Sequence, residues 1–100
     1  MRKNNENNKK TMKIITNVEL SRGYQHWKQK MLENEKFRQE NQINLVAYGH
    51  EENNENKVWA VMDVPSMEHM ASIINKPEMI KLREEAGAII ETQKMIKLIE

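Results

Sequence analysis

Five side chains in this sequence are of types that bind or transform a small molecule: Asn17, Tyr48, His50, Trp59 and Asp63. Tyr and Trp each offer an apolar wall with one polar handle. His50 carries an imidazole and is the one member suited to acid–base work, which makes it a weak catalytic candidate. Asp63 is the only aspartate of the chain. A plainer reading stands beside this one. Tyr48 and Trp59 fill an interface between two copies, His50 is wetted beside Lys57, and Asp63 ends a strand before Pro65.

Other chemistries fail on residue type and spacing. His26, His50 and His69 lie 24 and 19 residues apart, with no local ligand pair, so no metal site is expected. Zero cysteines exclude disulfides, thiolate metal sites and a Cys nucleophile. Gly23, Gly49 and Gly87 make no phosphate-cradling loop, and Ser21, Ser66 and Ser72 sit in no nucleophile elbow. No cofactor is expected.

The elements that must position the five residues follow from patterning. MKIITNVEL (12–20) alternates, with Ile14, Thr16, Val18 and Leu20 on one face and Lys13, Ile15, Asn17 and Glu19 on the other: a strand with one well-buried face. Tyr24, Trp27, Lys28, Met31 and Leu32 repeat at helical spacing, so a helix starts near Arg22 and breaks near Asn34, leaving Phe37 unplaced. INLVAYGH (43–50) and VWAVMDV (58–64) are strands joined in a hairpin. With its turn at Asn53-Asn54, Tyr48 pairs with Trp59, Val46 with Val61, His50 with Lys57 and Asn44 with Asp63. Leu45, Ala47, Ala60 and Met62 then share the plain face. Ser66 caps a Met-rich helix, Pro77 opens a second helical piece, Gly87 follows its end, and a last strand runs from about Ile89 to Ile99.

The order β-α-β-β-α-β predicts an α+β, ferredoxin-like plait: a four-stranded antiparallel sheet with its helices on one face. Residues 1–11 read as a disordered arm and 12–100 as a single domain. Sixteen basic against fifteen acidic residues leave a net charge of +1, which argues against nucleic acid or a membrane surface as partner. No apolar run has transmembrane length, and a cytoplasmic protein is the default expectation. The same element order occurs in RNA-binding modules, but IITNVEL has no aromatic for a base to stack on. The uncovered sheet face, with Ile15, Val46, Val61, Tyr48 and Trp59, carries too much apolar area to leave in water.

GYQHWKQKM, LVAYGHEENNENKVWAVMDVPSMEHM and KPEMIKLREEAGA resemble the dimeric α+β barrel superfamily, which includes antibiotic-biosynthesis-type monooxygenases and stress-responsive barrel proteins. The likeness covers residues 12 to 99. It implies a homodimer whose two sheets close into a barrel, with a pocket in each protomer either between sheet and helices or within the barrel. The uncovered sheet face would line a pocket for a small hydrophobic or aromatic molecule with Asn17, Tyr48, His50, Trp59 and Asp63. A cofactor-independent monooxygenase-like activity is one implication. A non-catalytic dimeric interaction or regulatory module is the alternative. Haem-degrading members use an Asn on the first strand with a Trp and a His on the second helix. Asn17 matches the first, but Ile73-Ile74 and Arg83-Glu84-Glu85 stand where the others belong.

Overall fold

The computed structural model describes residues 11–99, so the expected N-terminal arm lies outside the described residues except for Thr11. The elements are β1 (Met12–Leu20), α1 (Tyr24–Glu33), α2 (Glu35–Glu40), β2 (Asn44–Glu51), β3 (Asn54–Val64), α3 (Met67–Ile74), α4 (Pro77–Glu85) and β4 (Ala88–Leu98). All four strands form one antiparallel sheet in the order β2-β3-β1-β4. This is the predicted ferredoxin-like plait.

The alternation of β1 sets the layers. Ile14, Thr16, Val18 and Leu20 are buried on the face that meets the helices. Two apolar clusters lie on that face. Ile14, Ile43, Met62 and Val64 pack with Met70 and Ile73 of α3, and Phe37 of α2 joins them. Val18, Leu20 and Val58 pack with Tyr24 and Trp27 of α1. Phe37 thus finds its place because the chain breaks at Asn34 and restarts as a separate short helix.

Local punctuation follows the residue chemistry. The Ser66 hydroxyl accepts the His69 backbone N–H at 2.9 Å, which caps α3. Pro77 occupies the first turn of α4, where its missing N–H costs nothing. Gly87 takes φ 90° after α4 and donates to Glu84 O; a Cβ there would sit 3.2 Å from the Cβ of Arg22. The α2 terminus closes in the same way without a glycine. Gln42 stands at φ 61°, its N–H donates to Gln39 O, and Ile43 N–H donates to Arg38 O.

β1 and β3 pair through eight consecutive positions without a break. The hairpin differs from the expected one. Asn44 pairs with Asp63 and Leu45 with Met62 as predicted, but an irregularity at Val46 shifts the register. Beyond it Ala47 pairs with Val61, Tyr48 with Ala60, Gly49 with Trp59 and His50 with Val58. One inserted residue moves every later side chain to the other face. Ala47 therefore leaves the plain face, and Tyr48 and His50 turn toward the helices. The turn also closes earlier, at Glu52-Asn53, with Glu51 opposite Asn54. Among the described residues no helix is long and apolar enough to cross a membrane.

Candidate functional site

The corrected register splits the five sequence-derived candidates between the two faces. Tyr48 and His50 lie on the helix side. The Tyr48 ring meets Trp27 edge-on at 5.9 Å, and His50 meets Tyr24 at 4.7 Å. His50 Nδ1–H donates to the Glu51 carbonyl at 2.7 Å, and the side chain is exposed at the strand end. Asn17, Trp59 and Asp63 lie on the open face. Trp59 pairs with Asn17, and its indole N–H donates to the Glu51 carboxylate at 2.7 Å. Asp63 accepts from Lys13 Nζ at 2.9 Å in a cross-strand ion pair. No single pocket contains all five.

Between the two core clusters, between sheet and helices, lies a cavity of about 140 Å³ whose lining residues sequence reasoning did not name. Its floor is the middle of the sheet, where Thr16 pairs with Ala60 on one side and Met95 on the other. The flanking pairs, Ile14–Met62 and Val18–Val58, are bulky. The shorter side chains of Thr16 and Ala60 leave room between them. Trp27 and Met31 of α1, Phe37 of α2, and Met79 and Leu82 of α4 form walls and roof. A neighbouring recess of about 230 Å³ includes Tyr48 and shares Met31, Arg38, Ile43 and Leu45 with the first.

The polar lining is cationic or neutral: Thr16, Lys30, Asn34, Arg38, Arg83 and Gln93. No Asp, Glu or His lines the cavity among the described residues. Burial pulls the Arg38 guanidinium below its usual range, against the opposing pull of Glu35 and Tyr48. Burial does the same to Arg83, opposed by Glu84. Arg38 Nη1 donates to Met31 O at 2.6 Å. Arg83 Nη1 donates to Ile74 O at 3.2 Å, and Nη2 donates to Gln93 Oε1. The ion pairs among the described residues are Lys13–Asp63 and Lys30–Glu33, so neither arginine has a carboxylate partner there. A signal for these two existed in the composition. The chain has 12 Lys and only 4 Arg, and half of the arginines line one cavity. Arg and Lys are not interchangeable where planar, forked donation matters.

The open face has a different character. Ile15 stands between Val61 and Ile96, and Lys13 stands opposite Leu98. Ile96 is 49% exposed and Trp59 38%. Among them Asn17 is only 4% exposed, and its Oδ1 has no hydrogen-bond partner among the described residues.

No protein-family model matches the chain, and no curated protein matches it in sequence. Solved structures do match in fold. A candidate antibiotic biosynthesis monooxygenase from Bordetella bronchiseptica superposes with a TM-score of 0.71 at 9% identity, covering 90% of this chain and 96% of that one. SnoaB, a cofactor-independent oxygenase from Streptomyces nogalater, superposes at 0.63 with 8% identity, over 90% and 92% of the two chains. An uncharacterized NIPSNAP-like domain protein from Burkholderia xenovorans superposes at 0.64 with 13% identity, over 90% and 84%. The chain therefore shares the fold of antibiotic biosynthesis monooxygenase-like proteins of ferredoxin type.

Proposed function

We propose that this chain is one protomer of a homodimer that binds a small apolar or aromatic molecule in the cavity between sheet and helices. The observation that carries the reading is the cavity itself. It is apolar on most sides, is floored by Thr16 and Ala60, and has a few polar groups converging on it, which is the usual make-up of a small-molecule site. Shape similarity to SnoaB adds a cofactor-independent, monooxygenase-like reaction as the catalytic form of this proposal.

The dimer is supported by the open face. Ile15, Val61, Ile96, Leu98 and Trp59 make an apolar strip that a second sheet would cover. The orphaned Asn17 Oδ1 on the same face would find a donor across that interface. Tyr48 and His50 keep a role at the margin, Tyr48 in the neighbouring recess and His50 against Tyr24.

One observation favours the second reading, a non-catalytic binding or regulatory module. The cavity lining holds no carboxylate or imidazole to move a proton near neutral pH. A thermal-shift screen of aromatic compounds against the wild type and Ala60→Leu tests the common core of both readings. Compounds that raise the wild-type midpoint and leave the variant unmoved are expected, because binding to the native state must add stability. Equal shifts in both proteins would remove the cavity from consideration. Oxygen uptake with the hits then separates enzyme from module.

A further inference from the structure

The cavity's two arginines define its ligand more narrowly. A guanidinium carries five N–H donors and keeps its charge in proteins. Arg83 uses donors on Ile74 O and Gln93 Oε1, and Arg38 uses one on Met31 O. All of these acceptors are neutral, and Glu35 and Glu84 act on Arg38 and Arg83 only from beyond ion-pair distance. A half-buried cation without a direct anionic partner is costly, and the cost is offset when an anion enters. Arg83 is held by two acceptors and is the more rigidly aimed of the two. Arg38 adds positive potential from α2. The net charge of +1 supplies no general attraction for anions, so any preference must be local.

Size sets the other limit. An apolar cavity of about 150 Å³ holds benzene. The cavity here, about 140 Å³, is of the size that takes one ring.

We infer that the ligand is a single-ring aromatic or alicyclic carboxylate, with its ring over Thr16 and Ala60 and its carboxylate on Arg83. The inference rests on the cavity reading above and adds the charge and the ring count. The carboxylate suits the forked geometry of the guanidinium, and the ring takes the place of the missing side-chain volume on the sheet.

The two tryptophans make the test internal to one molecule. Trp27 lines the cavity, and Trp59 lies on the other sheet face. Benzoate and benzamide, alike in shape and different in charge, are titrated against the full chain at constant ionic strength, with the two indole N–H resonances followed by NMR. Benzoate is expected to shift the Trp27 signal saturably and to bind at least tenfold more tightly than benzamide. In Arg83→Gln that preference is expected to fall to near unity. Arg83→Lys, which keeps the charge and loses the fork, is expected to fall between.

Equal binding of both compounds in the wild type would overturn the carboxylate assignment and leave the cavity reading standing. Binding of neither would overturn both. A benzoate shift confined to Trp59 would place the anion elsewhere and overturn the assignment. The wild-type comparison needs no variant, so a poorly folding Arg83→Gln protein would not blunt it.

Discussion

Thr16 and Ala60 face each other across the two central strands, and they are the smallest pair on the helix-facing side of the β1–β3 ladder. Ile14–Met62 and Val18–Val58 on either side fill their share of the space with contacts to the helices. The void above Thr16 and Ala60 is thus set by side-chain length alone, on a backbone that runs straight through it.

Ala60→Leu should therefore stabilise the protein while closing the cavity. Three added carbons moved out of water are worth about 2 kcal/mol at about 0.8 kcal/mol per methylene, and misfit with Trp27 or Met31 would subtract from that. A rise in the urea midpoint with an unchanged slope is the expected result. A fall of similar size would mean that the floor is already closely packed.

Gln42→Gly should also stabilise. Gln42 holds φ 61°, a left-handed conformation that costs a side-chain-bearing residue about 1–2 kcal/mol. Glycine loses less there and more in the unfolded chain, leaving a net gain of about 0.5–1 kcal/mol. Chemical denaturation checks it. Gln42→Val at the same position should destabilise, and no difference between the two variants would show that the turn relaxes freely.

Val61→Lys and Ile96→Glu should each convert a dimer to a monomer of 11.9 kDa without unfolding it. Both side chains flank Ile15 on the open face, and an isolated charge buried between two sheets is costly. Native mass spectrometry at micromolar concentration reads the outcome. A wild type that is itself monomeric would end the dimer proposal, and dimeric variants would move the interface elsewhere.

The Lys13–Asp63 pair should matter little. Its side chains are 53% and 21% exposed, so solvent screens the attraction despite the 2.9 Å contact. A double-mutant cycle should return less than about 1 kcal/mol, shrinking with salt. Benzoate binding to Asp63→Asn should match the wild type. A loss would restore Asp63 to the site.

Much of the fold was legible because its signals are local. The alternation of β1, the Ser66 cap, Pro77 and Gly87 each act within a few residues, and the β-α-β-β-α-β order follows from them. The lining of the candidate site was not legible, for two physical reasons. The irregularity at Val46 carries no Gly or Pro to announce it, yet it reverses the faces of Tyr48 and His50. The cavity is assembled from Thr16, Ala60, Arg38 and Arg83, which lie on four separate elements and share no spacing. Asn17 and Trp59 were placed on the right face, since the β1–β3 pairing follows alternation without interruption.

Both outer ladders are irregular, whereas the central β1–β3 ladder is not. In the β2–β3 ladder the register shifts at Val46 of β2 and again beside the turn, where residues 55–57 of β3 have no partner on β2 between the His50–Val58 and Glu51–Asn54 pairs. β4 shifts opposite Asn17 and Glu19, where the Thr92 hydroxyl stands in for a backbone acceptor, taking the Glu19 N–H and donating to Ile89 O. A kinked margin is a poor template for another strand, so neither rim invites the sheet to grow sideways into a fibre. The same defects that bend the edges work against runaway polymerisation, and they leave the flat of the sheet as the surface for the proposed pairing of two copies.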